Sequence, residues 1–376
     1  MMDLLIQNGT LLDPSQHLQG VRDIGVNQGK IVGLFPPGTI PSASAKERID
    51  ATSCWVTPGL IDLHVHVFEH RTSLGIRADR IGVAQGVATV VDAGSTGSRD
   101  FSSFLTEVVE GNHTQVLLWI NIASQGLCDG LSELADLSQL KLEETEARIR
   151  QYPLIRGIKA RISRSVVKES GLKPLHLAKE LARKMKLPLM VHIGNGPPQL
   201  GEILDLLDEG DVVTHAFHGK PGEILDRNGE LIPEANRALQ RGVRLDVGHG
   251  SSSFSFRTLK RAKELHIPFH SISSDLYRQN FDGPVFSLVT TMNKFLALGF
   301  SLEEVVEAST RMPAKILGLA DEIGTLKEQT VADLTILQMI SRPLPLLDSE
   351  NEKLVGNPQL NALYTIRSGK VWKHDG

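Results

Sequence analysis

Cysteine is nearly missing from this chain. Cys54 and Cys128 are the only two, too few for a disulfide framework or for a zinc site built on thiolates, so reduced thiols in a cytosol are the expectation. Long apolar runs are missing as well. No stretch reaches the 18 or so consecutive apolar residues of a membrane span, and Met1-Met2-Asp3-Leu4-Leu5-Ile6-Gln7-Asn8-Gly9 has no charged leader followed by an apolar core. Secretion and membrane insertion are therefore not expected, and a cytoplasmic location is. There is no long basic block, and the net charge is -4. That argues against nucleic acid or an anionic membrane as the main partner and in favour of a small-molecule ligand. A Gly-rich phosphate loop, an internal repeat and a low-complexity tract are also missing. Homo-oligomerisation is left open.

What is present is the composition of a folded soluble protein. Of 376 residues, 41% are hydrophobic and 22% charged, enough to bury a substantial core, and the length suits one large domain with a small one attached. From Leu4 to about Cys54 the chain reads as short strands between turns: Leu4 to Gln7, Gly9 to Leu12, Asp23 to Val26, Lys30 to Leu34 and Glu47 to Asp50. Asn8-Gly9 and Gln28-Gly29 supply the punctuation. A second set follows near the other end, at Asp333 to Gln338, Leu363 to Arg367 and Lys370 to Trp372. Neither set has the apolar surface to stand alone. The two ends are expected to meet in one small β-sandwich formed by residues 1–55 and 321–376, with proline-rich Arg342 to Leu347 as a loop inside it.

Residues 56–320 alternate apolar strand runs with helical patterns, the mark of βαβ units. Eight runs stand out: Gly59 to His66, Ala88 to Asp92, Gln115 to Asn121, Ile155 to Lys159, Leu189 to His192, Val212 to His215, Arg244 to Val247 and Phe269 to Ser274. Helical stretches such as Leu172 to Met185, Ile232 to Arg241 and Phe256 to Leu265 lie between them. Ser301 to Ser309 is another, opening on a Ser301/Glu304 capping pattern. Eight such units predict an α/β TIM barrel, with its active site at the C-terminal ends of the strands. An open doubly wound sheet is the runner-up, and no phosphate loop supports it.

The strand ends carry the chemistry. The first ends in His64 and His66, two residues apart and so facing one point in space. The fourth ends in Lys159, the fifth in His192, the sixth in His215, and Asp275 follows the eighth. Neutral imidazoles converging on one point suit zinc. A lysine closing an apolar strand is buried at its base, where an unpaired ammonium is costly. Desolvation and nearby dications lower its pKa, and the neutral amine then adds carbon dioxide to form a carbamate, an anionic ligand able to bridge two metals. Near these ends lie candidates for substrate contact. Arg161 is placed to clamp a carboxylate, Ser95 and His249 sit past the second and seventh strands, and His218 follows His215.

With those residues in view, Val56 to His66 and the strand-end set resemble the binuclear members of the amidohydrolase superfamily. Gly86 to Gly97, Gly157 to Ser163, Asp246 to Phe256 and Thr290 to Gly299 are similar to its deacetylase branch, often labelled dihydroorotase-like. The resemblance implies a distorted TIM barrel with a flanking β-sandwich, two divalent metal ions, zinc being the best fit, and a carboxylated Lys159. It further implies that His64, His66 and Asp275 hold one metal, that His192 and His215 hold the other, and that Lys159 bridges both. Asp275 is then the general base on a metal-bridging hydroxide, and afterwards the acid to the leaving group. The implied reaction is deacylation of a small carboxylate-bearing ester or amide, such as an O-acetyl 2-hydroxy acid or an N-acyl amino acid. Cyclic amidase, deaminase and metal-free scaffold are the alternatives. His215-Ala216-Phe217-His218-Gly219 departs from the His-Cys-Phe-Asn-Gly usual in the branch, at residues expected to touch substrate.

Overall fold

The computed structural model describes residues 1–374. The expected parallel sheet is β6 (Leu60–Val65), β7 (Val87–Ala93), β8 (Gln115–Asn121), β9 (Ile155–Ile162), β10 (Leu189–Ile193), β11 (Val212–Thr214) and β12 (Arg244–Leu245), hydrogen-bonded in sequential order. The eighth run closes the barrel without becoming a regular strand. It is joined to its neighbours by single bridges, Asp246 to Ser271 on one side and Leu276 to Val65 on the other. The closing hydrogen bonds include His249 N–H to Ser273 O at 3.1 Å and Asp275 N–H to His64 O at 2.8 Å. The reason lies in its sequence: Ser271, Ser273 and Ser274 turn their hydroxyls onto the buried carboxylates of Asp246 and Asp62.

Inside the barrel, Ile61, Leu63, Val91, Leu117, Trp119, Met190 and Val212 pack together, and Ala314, Ile316 and Leu317 close the end opposite the histidines. Trp119 occupies the space that Gly157 leaves: a Cβ on Gly157 would lie 2.1 Å from the indole. Its Nε1–H donates to Leu63 O at 3.0 Å, so the ring is buried with its polar atom satisfied. Truncating such a residue to alanine costs about 3–5 kcal/mol. Outside the sheet, the helices Lys173–Met185, Pro233–Gln240 and Phe256–Glu264 present apolar stripes, for example Leu175, Ala178, Leu181 and Ala182, to one continuous core. The helix Leu302–Glu307 has the expected capping box, Ser301 with Glu304.

The chain ends do meet, in a single branched sheet. Its order is β17 (Lys370–Lys373), β16 (Gln359–Arg367), β13 (Leu334–Ile340), β5 (Cys54–Pro58), β1 (Met2–Asp13), β2 (Leu18–Asn27) and β3 (Lys30–Phe35), and β4 (Ala45–Asp50) also pairs with β1. The fork arises because β1 is long: Leu4 to Gln7 run beside β4, and Thr10 and Leu11 beside β5. Two short strands were expected there. Asn8-Gly9 instead makes a bulge, with Asn8 at φ 63 and its N–H on Asp23 Oδ1 at 2.9 Å, and the strand continues past it. Leu4, Ile6, Ile24, Val56, Leu334 and Ile366 are among its own buried cluster.

The segment expected as a proline-rich loop is also different. β14 (Leu344–Leu347) pairs with β15 (Lys353–Gly356) as a separate hairpin. Leu346 is buried in the barrel's core, and the hairpin tip reaches the barrel mouth, where Asp348 accepts the Phe256 N–H at 2.9 Å. The drive is apolar: leucines at alternate positions bury one face of the hairpin. Asp375 and Gly376, the last residues of the expected second domain, lie outside the described residues.

Candidate metal centre

β6 is irregular where it matters. Its register against β7 breaks between Leu60 and Ile61 and again between Asp62 and Val65, the kind of local distortion that re-aims side chains next to active sites. His64 and His66 still converge: each Nε2 lies 3.4 Å from Asp275 Oδ1. The three ligand atoms lie within 4.8 Å of one another, and all three residues are buried. Lys159 Nζ is 3.2 Å from His64 Nε2 and 3.4 Å from Met190 Sδ, with no carboxylate in ion-pair distance among the described residues. His215 Nε2 and His192 Nδ1 are 2.8 Å apart. The His215 ring centroid stands 5.1 Å from that of His64, which links the two groups.

Backbone conformation contributes. His215 and Asp275 have φ values of 68° and 49°, left-handed positions that non-glycine residues rarely adopt and that cluster at functional sites. Two glycines make room. A Cβ on Gly94 would lie 3.0 Å from the Lys159 Cβ and Cγ, and one on Gly250 would lie 2.4 Å from Asp275 Oδ2.

Around the ligands is a layer of hydroxyls and carboxylates. Thr214 Oγ1 donates to Asp246 Oδ2 at 2.7 Å, so its oxygen is left to accept from His64 Nδ1 at 2.8 Å. That places the His64 proton on Nδ1 and turns the Nε2 lone pair toward Asp275 and Lys159. His215 Nδ1 donates to Gly248 O at 2.6 Å, which places its proton on Nδ1 and leaves the Nε2 lone pair facing His192 Nδ1. His66 Nδ1 lies 3.0 Å from Ser95 Oγ, and the Ser95 N–H is held by Asp92 Oδ1 at 2.7 Å. Ser274 Oγ bonds Asp62 Oδ2, and the Ser274 N–H donates to Asp62 Oδ1 at 3.0 Å.

Burial sets the charge states. It holds His64 and His192 well below the usual imidazole range and lowers His215 to about 3, so all three are neutral near pH 7 and have the form that ligates a metal. It lowers Lys159 to about 7 and raises Asp62 to about 7. A buried set of neutral imidazoles with anchored Nδ1–H groups, one carboxylate and an unpaired amine is what a pair of divalent cations would bind.

The sequence-derived substrate residues are distributed unevenly. Ser95 supports His66. Arg161 Nη1 donates to the buried Glu133 at 3.3 Å. His249 turns away: its ring stacks on Phe254, its Nδ1 bonds Gly250 O, and its Nε2 lies 2.7 Å from the buried Lys294 Nζ. His218 is buried with Nδ1 accepting the Lys220 N–H at 3.1 Å. Sequence reasoning passed over Asp62, Thr214, Asp246, Ser271, Ser273 and Glu133. The available signal was an acid inside an apolar strand, at Asp62 and Asp246, which is costly unless fully hydrogen-bonded.

A family model described as the amidohydrolase family matches residues 55–372. The chain belongs to that family. This amidohydrolase is a hydrolase, and it is similar to a deacetylase of Enterococcus faecalis (strain ATCC 700802 / V583), with 38% identity over 376 residues covering 98% of this chain and 99% of that protein. It is similar to the crystal structure of an adenine deaminase, at a TM-score of 0.92 and 37% identity with full coverage of both chains. A dihydroorotase crystal structure matches at a TM-score of 0.90 and 31% identity over 99% of each chain. These likenesses agree with the barrel and chain-end sheet described above. No helix among the described residues is long and apolar enough to cross a membrane.

Proposed function

We propose that this amidohydrolase removes an acyl group from a small carboxylate-bearing ester or amide, such as an O-acetyl 2-hydroxy acid or an N-acyl amino acid, with two divalent metal ions, zinc being the best fit. Its observational support is the buried His64, His66 and Asp275 cluster with Lys159, His215 and His192 beside it, six residues from four strands and the eighth run, together with a relative of 38% identity named a deacetylase. Residues 56–320 would carry the chemistry, with residues 1–55 and 321–376 as the second domain. His64, His66 and Asp275 would hold one ion and His192 and His215 the other, and a carbon dioxide-derived carbamate on Lys159 would span the two. When bound, such ions acidify water and polarise an acyl carbonyl.

The chain's own groups do the rest. Asp275 takes the proton released by the attacking water on a carboxylate oxygen and delivers it to the departing oxygen or nitrogen. Gly250, with no side chain, lets the backbone lie against Asp275 Oδ2. Thr214 and Ser95 keep the His64 and His66 rings from turning.

The likeness to an adenine deaminase structure supports a second reading, deamination, and the dihydroorotase structure supports cyclic amide opening. Product analysis separates them. Zinc-loaded protein incubated with a panel of acylated hydroxy and amino acids, adenine and cyclic ureides is expected to release acetate or another carboxylic acid. Release of ammonia, or ring opening alone, would replace the deacylase reading.

A further inference from the structure

An acylated hydroxy or amino acid carries a carboxylate, and from the sequence Arg161 was the residue expected to hold it. In the folded protein Arg161 is already matched by Glu133, whose side chain is fully buried and whose Oε1 has no hydrogen-bond partner. Arg161 already has that carboxyl as a partner, and a second anion entering there would meet the unsatisfied Glu133 oxygen. Arg161 and Glu133 together are a poor anion site.

Lys220 has the opposite situation. It lies on the loop after β11, five residues past His215. Its Nζ donates to Ser252 Oγ at 2.9 Å and has no carboxylate within ion-pair distance among the described residues. Ser252 belongs to the loop that packs on the centre: Gly250 lies against Asp275 Oδ2, and the neighbouring Ser251 Oγ accepts from the Tyr277 hydroxyl at 2.7 Å. The Tyr277 ring is 6.4 Å from that of His66. The Lys220 side chain is partly buried, which holds the ammonium below the usual lysine range while Asp275 works the other way. Ser252 is itself exposed, so the ammonium sits where an anion arriving from solvent can reach it.

The same turn contains a second incomplete group. Because His218 Nδ1 accepts the Lys220 N–H at 3.1 Å, the proton of the neutral ring sits on Nε2, and that Nε2 is buried without an acceptor. The ring fixes the Lys220 backbone and leaves a buried donor unsatisfied in the same turn.

We propose that Lys220, positioned by His218, is the residue that recognises the substrate carboxylate, and that Arg161 is not. The proposal rests on the deacylase reading and narrows it to substrates whose carboxylate lies beside the scissile acyl group, on the Ser252 side of the centre. It makes Lys220 a specificity-determining residue rather than a catalytic one.

Binding separates this from the hydrolysis itself. Calorimetric titration of the zinc-loaded protein with lactate, a 2-hydroxy acid anion, and with lactamide, its neutral counterpart, reads the contact directly. Lys220→Met is expected to weaken lactate binding about 10- to 100-fold, as loss of a charge-assisted hydrogen bond does, and to leave lactamide binding and zinc content unchanged. Lys220→Arg keeps most of the lactate affinity. Arg161→Met changes it less than about threefold. Wild-type protein that does not prefer lactate to lactamide, a Lys220→Met protein that binds lactate normally, or one that loses its zinc would each overturn the assignment. Lactate held through Lys220 with no acyl substrate cleaved would keep the assignment and remove the deacylase reading instead.

Discussion

On one side of the centre His64 is tied to Thr214 and, through it, to the buried Asp246, while His66 is tied to Ser95, which Asp92 anchors. On the other side His215 is held by the Gly248 carbonyl alone, and His192 has His215 itself as its hydrogen-bond partner. His192 is also partly exposed, whereas His64 and His66 are buried. Both sides present imidazoles, but one is braced by hydroxyls and carboxylates on or just past three strands, β7, β11 and β12, and the other by a single loop. A braced ligand loses little freedom when it binds a cation, so on the proposed two-metal reading the His64 side would retain its ion and the His192 side would exchange it.

The largest test of that contrast spans both halves. Lys159→Ala should empty both sites and lower turnover by about 10³-fold or more, and short carboxylic acids should partly restore both, measured by elemental analysis and rate. Wild-type metal content and rate in this variant would deny Lys159 any place between the halves. Asp275→Asn should fold normally and lose about 10²- to 10⁴-fold in turnover; full activity would take the proton step away from Asp275. Thr214→Val is more selective, because it frees His64 while sparing His192. Metal affinity on the braced side should fall about 10- to 100-fold, leaving the other site nearly as it was. Equal loss from both sites would mean that the bracing does not divide the centre as argued.

The smallest effect is on metal-free protein. Lys159 and Lys294 are both lowered by burial from 10.5 to about 7. Between those values the unfolded chain binds protons that the folded one does not, so stability rises with pH across that window. His215, lowered from 6.5 to about 3, gives the acid counterpart: stability falls as pH drops below about 6.5. Thermal unfolding from pH 4 to 10 should show both slopes, and Lys294→Met should flatten the alkaline one. An unchanged alkaline slope in that variant would mean that Lys294 keeps its proton in the fold.

Much of this was legible in the residues. Alternating apolar runs placed seven barrel strands within a few residues of where they lie, because strand and helix periods are local properties. The eighth run escaped because its serines serve carboxylates on other strands: Ser273 bonds Asp246, and Ser274 bonds Asp62, 212 residues away. Asn8-Gly9 was read as a turn because the same dipeptide serves a turn and a bulge, and the choice between them was made by β4 and β5 packing along one long β1. The loop expected over 342–347 became a hairpin for a similar reason, the barrel surface that receives Leu346 being distant in sequence.

By itself the sequence determined that imidazoles, an amine and a carboxylate lie on or just past the runs that form the barrel, because a residue's place along a run follows from local pattern. It did not determine where those side chains, or those beside them, find partners. Only the tertiary structure decided that Arg161 meets Glu133, that His249 turns to Lys294, and that Lys220 is left with the Ser252 hydroxyl. Hydrogen bonds and ion pairs form between groups a few ångströms apart in space, and their strength depends on burial that no single segment possesses before the barrel closes.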